Sequence, residues 1–107
     1  MSRFAEVLAR LSAVIEGRRG GDPAGSYTAK LLADPSLAGK KLGEEAIEAI
    51  IAATQGDKAA LAGESADLIY HWLVVLAAAG VSLDEVAAKL EAREGTSGLD
   101  EKASRPA

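Results

Sequence analysis

The sequence contains no cysteine, one histidine and few aromatic residues, which make up 4% of its 107 residues. Without cysteine the chain has neither a disulfide framework nor a thiolate metal site, and this fits a reducing compartment. Because hydrophobic residues still reach 49%, alanine and aliphatic side chains must fill the core. Such a composition favours closely packed helices.

The chain also lacks a long apolar run and an excess of basic residues. Its longest apolar stretch, residues 72–81, is too short to cross a bilayer, and charged Arg3 and Glu6 stand where a signal peptide needs an apolar segment. A formal net charge of −4 leaves no general basic surface for nucleic-acid phosphates. We therefore expect a soluble, cytoplasmic protein with no membrane anchor and no nucleic acid as partner.

Apolar residues recur with the helical period along most of the chain. The pattern predicts a helix over 3–16, a short helix over 27–32 that Pro35 terminates, and a third helix over 37–55. Gly56 and Asp57 indicate a tight turn into a fourth helix over 58–79, and Ser82 with Glu85 forms a capping box for a fifth that ends near Leu90. The chain is thus predicted to be one all-α domain over 1–107, an antiparallel bundle of four to five helices with a polar tail over 92–107.

Acidic residues concentrate on one face of the third and fourth helices. At about 100° per residue, they form two stripes: Glu44, Glu45 and Glu48 on the third helix, and Glu64 and Asp67 on the fourth. Five carboxylates crowded between facing helices repel one another, so the pattern predicts a bound cation. Oxygen ligands suit Mg²⁺, which also keeps waters and substrate phosphates around it.

Two interpretations of these stripes stay open from the residues alone. Acidic helix faces are commonly solvated surfaces, although such faces usually carry lysine at i,i+4 and we expect neither stripe to contain a base. His71 follows the acids of the fourth helix on the same face, where a lone histidine is either a ligand or a hydrogen-bonded packing residue. We place His71 behind the ligands rather than among them.

The segments that contain these acids resemble a known superfamily. Residues 39–48 (GKKLGEEAIE) and 64–71 (ESADLIYH) are similar to the acidic signature of the MazG-type all-α NTP pyrophosphohydrolases. Residues 26–32 (SYTAKLL) and 93–105 (REGTSGLDEKASR) resemble segments of the phosphoribosyl-ATP pyrophosphatase family. The resemblance implies hydrolysis of phosphoribosyl-ATP to phosphoribosyl-AMP and pyrophosphate, the second step of histidine biosynthesis, with Mg²⁺ required.

The resemblance and the needs of phosphoanhydride chemistry together suggest a role for each candidate residue. The expected Mg²⁺ ligands are Glu45, Glu48, Glu64 and Asp67. Glu44 either joins them or orients the attacking water, so the expected catalytic carboxylates are Glu44, Glu45 and Glu48.

Phosphates that the metal does not hold need cationic partners. Lys40 and Lys41 are expected at the start of the third helix, where the helix dipole favours anions, and Lys30 is a further candidate. The resemblance makes the tail a phosphate-binding loop, although its composition alone is typical of a disordered terminus. Its expected substrate-binding residues are Arg93, Thr96, Ser97, Lys102, Ser104 and Arg105.

The apolar arc on the third helix is wide, which predicts burial from both sides in a homodimer. Two other functions remain open at this point. One is a house-cleaning pyrophosphohydrolase of the same superfamily that acts on non-standard nucleotides. The other is a non-catalytic helical dimerisation module whose acids form a solvated face.

Overall fold

Five α-helices make up the fold of the residues that the computed structural model describes, 2–95 and 105. They are Arg3–Gly17 (α1), Tyr27–Ala33 (α2), Pro35–Gln55 (α3), Lys58–Ala79 (α4) and Leu83–Glu91 (α5). No strand occurs in this part of the chain. The all-α prediction is confirmed.

The junction between α2 and α3 differs from the sequence prediction. The apolar pattern assigns Pro35 to the end of the second helix, whereas Pro35 is the first residue of α3. Asp34 caps α3 by accepting a hydrogen bond from the backbone N–H of Leu37 at 3.2 Å. Proline has no N–H to leave unpaired in a first turn, and its fixed φ suits a helix start. A single residue therefore separates the two helices.

A tight turn joins α3 to α4, as the sequence predicts. Gly56 adopts a φ of 70°, a left-handed conformation that glycine takes without strain. Asp57 caps α4 by accepting a hydrogen bond from the backbone N–H of Ala60 at 3.0 Å. The turn makes α3 and α4 antiparallel neighbours along most of their length, so their acidic stripes can meet.

The capping box of α5 is also formed as predicted. The Ser82 hydroxyl accepts from the backbone N–H of Glu85 at 3.1 Å, and the Glu85 carboxylate accepts from the backbone N–H of Ser82 at 2.8 Å. None of the residues of α5 is buried. The helix is thus held by its cap and by the half-buried Leu83, which packs against the core.

The core lies where α1, α2 and α3 pack around α4. Its fully buried members are Ile15, Leu31, Ala38, Leu73 and Val74. By length and composition α4 could also cross a membrane, with a mean hydropathy of 1.2 over its most apolar window. A core helix passes the same test, and α4 packs against α1, α2 and α3, with 17% of that window buried.

One side of α3 is uncovered in the single chain. Ile47, Ile50 and Ile51 are 59%, 63% and 50% exposed. The wide apolar arc that the sequence shows is therefore buried on the side that faces α4 and open to solvent on the other.

Candidate active site

Three acidic side chains converge between α3 and α4. Glu45, Glu48 and Glu64, the carboxylate triad, each offer one oxygen atom, and these atoms all lie within 4.8 Å of one another. Glu45 and Glu48 are three residues apart on α3, so they share a face, and the antiparallel α4 brings Glu64 opposite them. This cluster could hold a metal ion.

Two oxygen atoms of the triad are buried without a partner. Oε2 of Glu45 and Oε2 of Glu64 are inaccessible to solvent and have no hydrogen-bond partner among the residues that the structure describes. Both residues are half-buried, and a carboxylate oxygen that is shielded from water without a hydrogen bond is unfavourable. These two atoms therefore mark the point at which the structure favours a cation.

Both of these carboxyl groups hold protons more readily than usual. Burial raises the pKa of Glu45, and the nearby carboxyl groups of Glu48 and Asp67 raise it further. The pKa of Glu64 is raised first by its close approach to Glu48, a hydrogen bond once one of the two is protonated, and then by burial. A site that attracts protons because of crowded negative charge attracts metal cations for the same reason.

Asp67 lies beside the triad rather than inside it. Its side chain is exposed, yet its charge raises the pKa of both Glu45 and Glu64. Of the four predicted ligands, the structure thus brings Glu45, Glu48 and Glu64 together. The fourth, Asp67, is close enough for its charge to raise the pKa of two of them.

Glu44 is not part of the triad and forms an ion pair. Its carboxylate lies 3.3 Å from the ammonium group of Lys41, three residues earlier on α3, and both side chains are partly exposed. The expectation that neither acidic stripe contains a base is therefore wrong at this position, because residues at i and i+3 share a helix face.

The helix-dipole argument for Lys40 and Lys41 is also wrong. Because α3 begins at Pro35, both lysines lie more than one turn inside the helix, and the effect of the dipole falls off within the first turn. Lys41 instead lies on the acidic stripe, where its charge acts on the Tyr27 hydroxyl group. Lys40 is exposed and, because of the helical period, lies on the same side of α3 as Ile47.

His71 is buried behind the acids and ties two helices together. It is 7% exposed, and its Nδ1 lies 2.7 Å from the backbone carbonyl of Asp67. A carbonyl only accepts, so Nδ1 carries the proton, and in the neutral ring Nε2 accepts from the Tyr27 hydroxyl group at 3.0 Å. The role of His71 behind the ligands stays a prediction, since these contacts are with Tyr27 and the Asp67 backbone.

A second hydroxyl contact joins the same two helices. Thr28, next to Tyr27 on α2, is hydrogen-bonded to Tyr70, next to His71 on α4. Sequence reasoning assigned no role to Thr28 or Tyr70, and it used Tyr27 only as part of a family segment. The sequence signal that could have identified this contact is the pair of hydroxyl side chains, Tyr27 and Thr28, in the first turn of α2 after its N-cap Ser26.

The other predicted phosphate-binding residues lie outside α3 and α4, the two helices that carry the triad. Lys30 is exposed on α2, and Arg93 follows the end of α5. In the tail, Arg105 is among the described residues, whereas the others lie outside them: Thr96, Ser97, Lys102 and Ser104.

A cavity opens from the triad toward the α3–α4 turn. This hairpin cavity has a volume of about 300 Å³ and is lined by Glu48, Ile51, Ala52, Gln55, Ala60 and Glu64. Another cavity of about 300 Å³ lies at the opposite end of α4, beside Arg19 and Leu83, and contains no residue of the acidic stripes. Of these two cavities, the hairpin cavity is the one that adjoins the triad, because Glu48 and Glu64 line it.

The site can be compared with known proteins. The family model for phosphoribosyl-ATP pyrophosphohydrolase matches residues 8–94. A phosphoribosyl-ATP pyrophosphatase of Caulobacter sp. (strain K31) is 69% identical over 106 residues, which are 99% of each chain. The protein of that name from Cereibacter sphaeroides (strain ATCC 17029 / ATH 2.4.9) is 61% identical over 100 residues, 92% of this chain and 97% of the relative. The matched region contains the whole triad, Tyr27 and His71, which confirms the resemblance, and the chain belongs to the phosphoribosyl-ATP pyrophosphohydrolase family.

Proposed function

We propose that this protein hydrolyses phosphoribosyl-ATP to phosphoribosyl-AMP and pyrophosphate, the second step of histidine biosynthesis. The supporting observation is the triad of Glu45, Glu48 and Glu64, in a chain that is 69% identical to a phosphoribosyl-ATP pyrophosphatase. Cleavage of a phosphoanhydride requires neutralised phosphate oxygens and a positioned water, and a cluster of carboxylates that holds a cation meets both requirements.

The donor set fits Mg²⁺ better than a soft metal. Every donor is a carboxylate oxygen, and Glu45 and Glu64 each have one oxygen that is buried without a hydrogen-bond partner among the described residues. We assign Glu45, Glu48 and Glu64 as ligands, and Asp67 as a fourth because its charge already acts on two of them. When bound, Mg²⁺ neutralises phosphate charge and lowers the pKa of a coordinated water.

The exposed acids of α3 act on the water. In the reaction, the water oxygen bonds to phosphorus, the anhydride bond breaks, and pyrophosphate leaves with the bonding electron pair while the water loses its proton. Glu44 and Glu48 are exposed and therefore reach a water that enters from solvent. Glu44, charge-balanced by Lys41, orients this water and accepts its proton.

Basic side chains at the edge of the site hold the remaining phosphate charge. Lys41 is the best placed, since it lies on the acidic stripe and acts on Tyr27. Lys30 and Lys40 remain candidates on α2 and α3. We keep the proposal that the tail binds phosphate through Arg93, Thr96, Ser97, Lys102, Ser104 and Arg105.

The working protein is proposed to be a soluble, cytoplasmic homodimer of one domain, residues 1–107. Ile47, Ile50 and Ile51 expose half or more of their side chains on one side of α3. An exposed apolar stripe of this kind on a small domain is typical of a surface that a second subunit covers.

A pyrophosphate-release assay tests the function directly. With Mg²⁺, we expect turnover of phosphoribosyl-ATP to exceed that of free nucleotides such as ATP and dUTP by about a hundredfold or more. Equal rates on the free nucleotides would favour a house-cleaning enzyme. Absence of both turnover and calorimetric Mg²⁺ binding would favour a dimerisation module.

A further inference from the structure

The hydrogen bonds that lead from α4 to the Tyr27 hydroxyl group all run in one direction. Nδ1 of the buried His71 donates to the backbone carbonyl of Asp67 at 2.7 Å, because a carbonyl only accepts. In the neutral ring Nε2 therefore accepts, and the Tyr27 hydroxyl group donates to it at 3.0 Å. The hydroxyl hydrogen of Tyr27 is thus committed to His71, and its oxygen can only accept further hydrogen bonds.

The Tyr27 ring is held in this orientation by two other rings. It stacks on the ring of Tyr70 with the ring centroids 6.5 Å apart, and it packs edge-to-face against His71 at 6.0 Å. The residue is nevertheless 49% exposed. Tyr27 therefore presents a fixed acceptor oxygen on a half-exposed side chain, and the surrounding groups decide what that oxygen accepts from.

Three charged groups of α3 act on the Tyr27 hydroxyl group. Burial raises the pKa of Tyr27 most, the ammonium group of Lys41 has the next largest effect and lowers it, and smaller increases come from Tyr70, Glu45 and Glu44. Ionised carboxylates only accept hydrogen bonds, so neither glutamate is a partner for an oxygen that also only accepts. Lys41 is therefore the charged donor that suits this oxygen.

The ammonium group of Lys41 has more donors than its ion pair uses. It carries three N–H donors, and one side of it faces the Glu44 carboxylate at 3.3 Å. The side chains of this pair are 37% and 44% exposed, and an exposed pair holds a long lysine side chain only weakly. An acceptor on α2 restricts the ammonium group further and still leaves its third donor for a phosphate oxygen.

We propose that Tyr27 is a positioning residue for Lys41: its oxygen shares the ammonium group with Glu44 and keeps the third donor facing the substrate phosphates. The proposal rests on the proposed function, in which Lys41 binds phosphate, and it adds the residue that places this charge. Tyr27 acts through Lys41 rather than on the phosphates, since an oxygen without a hydrogen to donate repels phosphate oxygens.

The competing interpretation is that the Tyr27 hydroxyl group only attaches α2 to α4. The neighbouring pair of Thr28 and Tyr70 joins the same two helices through hydroxyl groups and so provides a matched control. Tyr70→Phe removes the same atom as Tyr27→Phe and the same kind of contact between the helices. If attachment is the whole role, the two variants should affect phosphate binding alike.

The test is a double-mutant cycle on Tyr27 and Lys41, measured as calorimetric binding of inorganic pyrophosphate with Mg²⁺ present. We expect Lys41→Met to weaken binding by about tenfold and Tyr27→Phe by about fivefold, because a charge-assisted contact is lost in the first and loosened in the second. The double variant should bind within about twofold of Lys41→Met alone, since Tyr27 then has no charge to position. Tyr70→Phe should stay within about twofold of the wild type.

Steady-state kinetics adds a readout that helix attachment would not produce. Tyr27→Phe should raise KM for phosphoribosyl-ATP by about fivefold and leave kcat within about twofold of the wild type, because the lost contact acts on binding. Circular dichroism shows whether each variant is folded at the assay temperature. An unfolded Tyr27→Phe variant would overturn the inference, since the hydroxyl group would then be needed for the fold itself.

The outcomes separate this inference from the proposed function. No pyrophosphate release from phosphoribosyl-ATP by the wild type would overturn the proposed function, whereas the cycle would still measure the coupling of Tyr27 and Lys41. The inference is overturned if the effects of Tyr27→Phe and Lys41→Met multiply in the double variant. Equal binding by Tyr27→Phe and Tyr70→Phe, or no pyrophosphate binding by the wild type, would overturn it as well.

Discussion

The two sides of α3 depart from the usual burial pattern in opposite directions. One side buries a carboxylate oxygen of Glu45 with no hydrogen-bond partner among the described residues, and the other exposes Ile47 and Ile50 by 59% and 63%. Buried charge and exposed apolar surface are both unfavourable in an isolated chain. The comparison teaches that each side is suited to a different addition, which we propose to be a cation on the first side and the apolar surface of a second subunit on the other.

Removing a charge from the acidic side should have the largest effect on activity. Glu48→Gln or Asp67→Asn should lower turnover by about a hundredfold or more, because each removes a proposed ligand. The metal-free variants should be as stable as the wild type or slightly more stable, since a repulsive charge is gone. Pyrophosphate release, together with melting temperatures measured with and without Mg²⁺, checks both parts.

The same measurements decide between the interpretations of the acids. If the acids form a solvated face, both variants should keep near-normal turnover. If they form a structural ion-pair network, the variants should lose stability, and turnover should fall only as a result. Wild-type turnover with retained Mg²⁺-dependent stabilisation in both variants would remove these residues from the site.

A charge added to the apolar side should break the proposed dimer. Ile50→Glu should weaken dimerisation by about thirtyfold, near 2 kcal/mol, because a charge would then be buried against apolar surface. Val81→Glu is the matched control, at an apolar position 38% exposed in the α4–α5 loop. Sedimentation equilibrium measures the change, and a wild-type species of 10.9 kDa at micromolar concentration would contradict the dimer itself.

Lys40 and Lys41 lie on different sides of α3. Replacing each in turn tests whether phosphate binding depends on the acidic side alone. Lys41→Met should raise KM for the substrate by about tenfold, whereas Lys40→Met should raise it by less than about threefold, because only Lys41 lies on the acidic stripe. Steady-state kinetics measures both. Equal effects would show that phosphate is bound across both sides of the helix.

The smallest expected effect is a dependence of metal-free stability on pH. Glu45 and Glu64 have folded-state pKa values above their usual 4.5, so the folded protein binds more protons than the unfolded chain. Their stabilising contribution is complete below pH 4.5 and is lost as pH rises through the raised values. Urea unfolding of the metal-free protein should show a decline over this window that is shallower in Glu64→Gln. An identical slope in the variant would contradict the crowding of charge at the triad.

Local rules predicted most of the helical structure. Ser82 with Glu85 and Gly56 with Asp57 were recognised as helix-end signals because a cap depends on residues within one turn of the chain. Pro35 was assigned wrongly because proline both ends a helix and starts one, and only the path of the chain decides between them.

The sequence by itself determined which acids share a helix face, because a spacing of three or four residues fixes that on any α-helix. Only the tertiary structure decided that Glu64 of α4 meets Glu45 and Glu48 of α3. It also decided that Tyr27 contacts His71, 44 residues away. The physical reason is that helix periodicity is a property of neighbouring residues, whereas burial and pairing depend on how distant helices pack together.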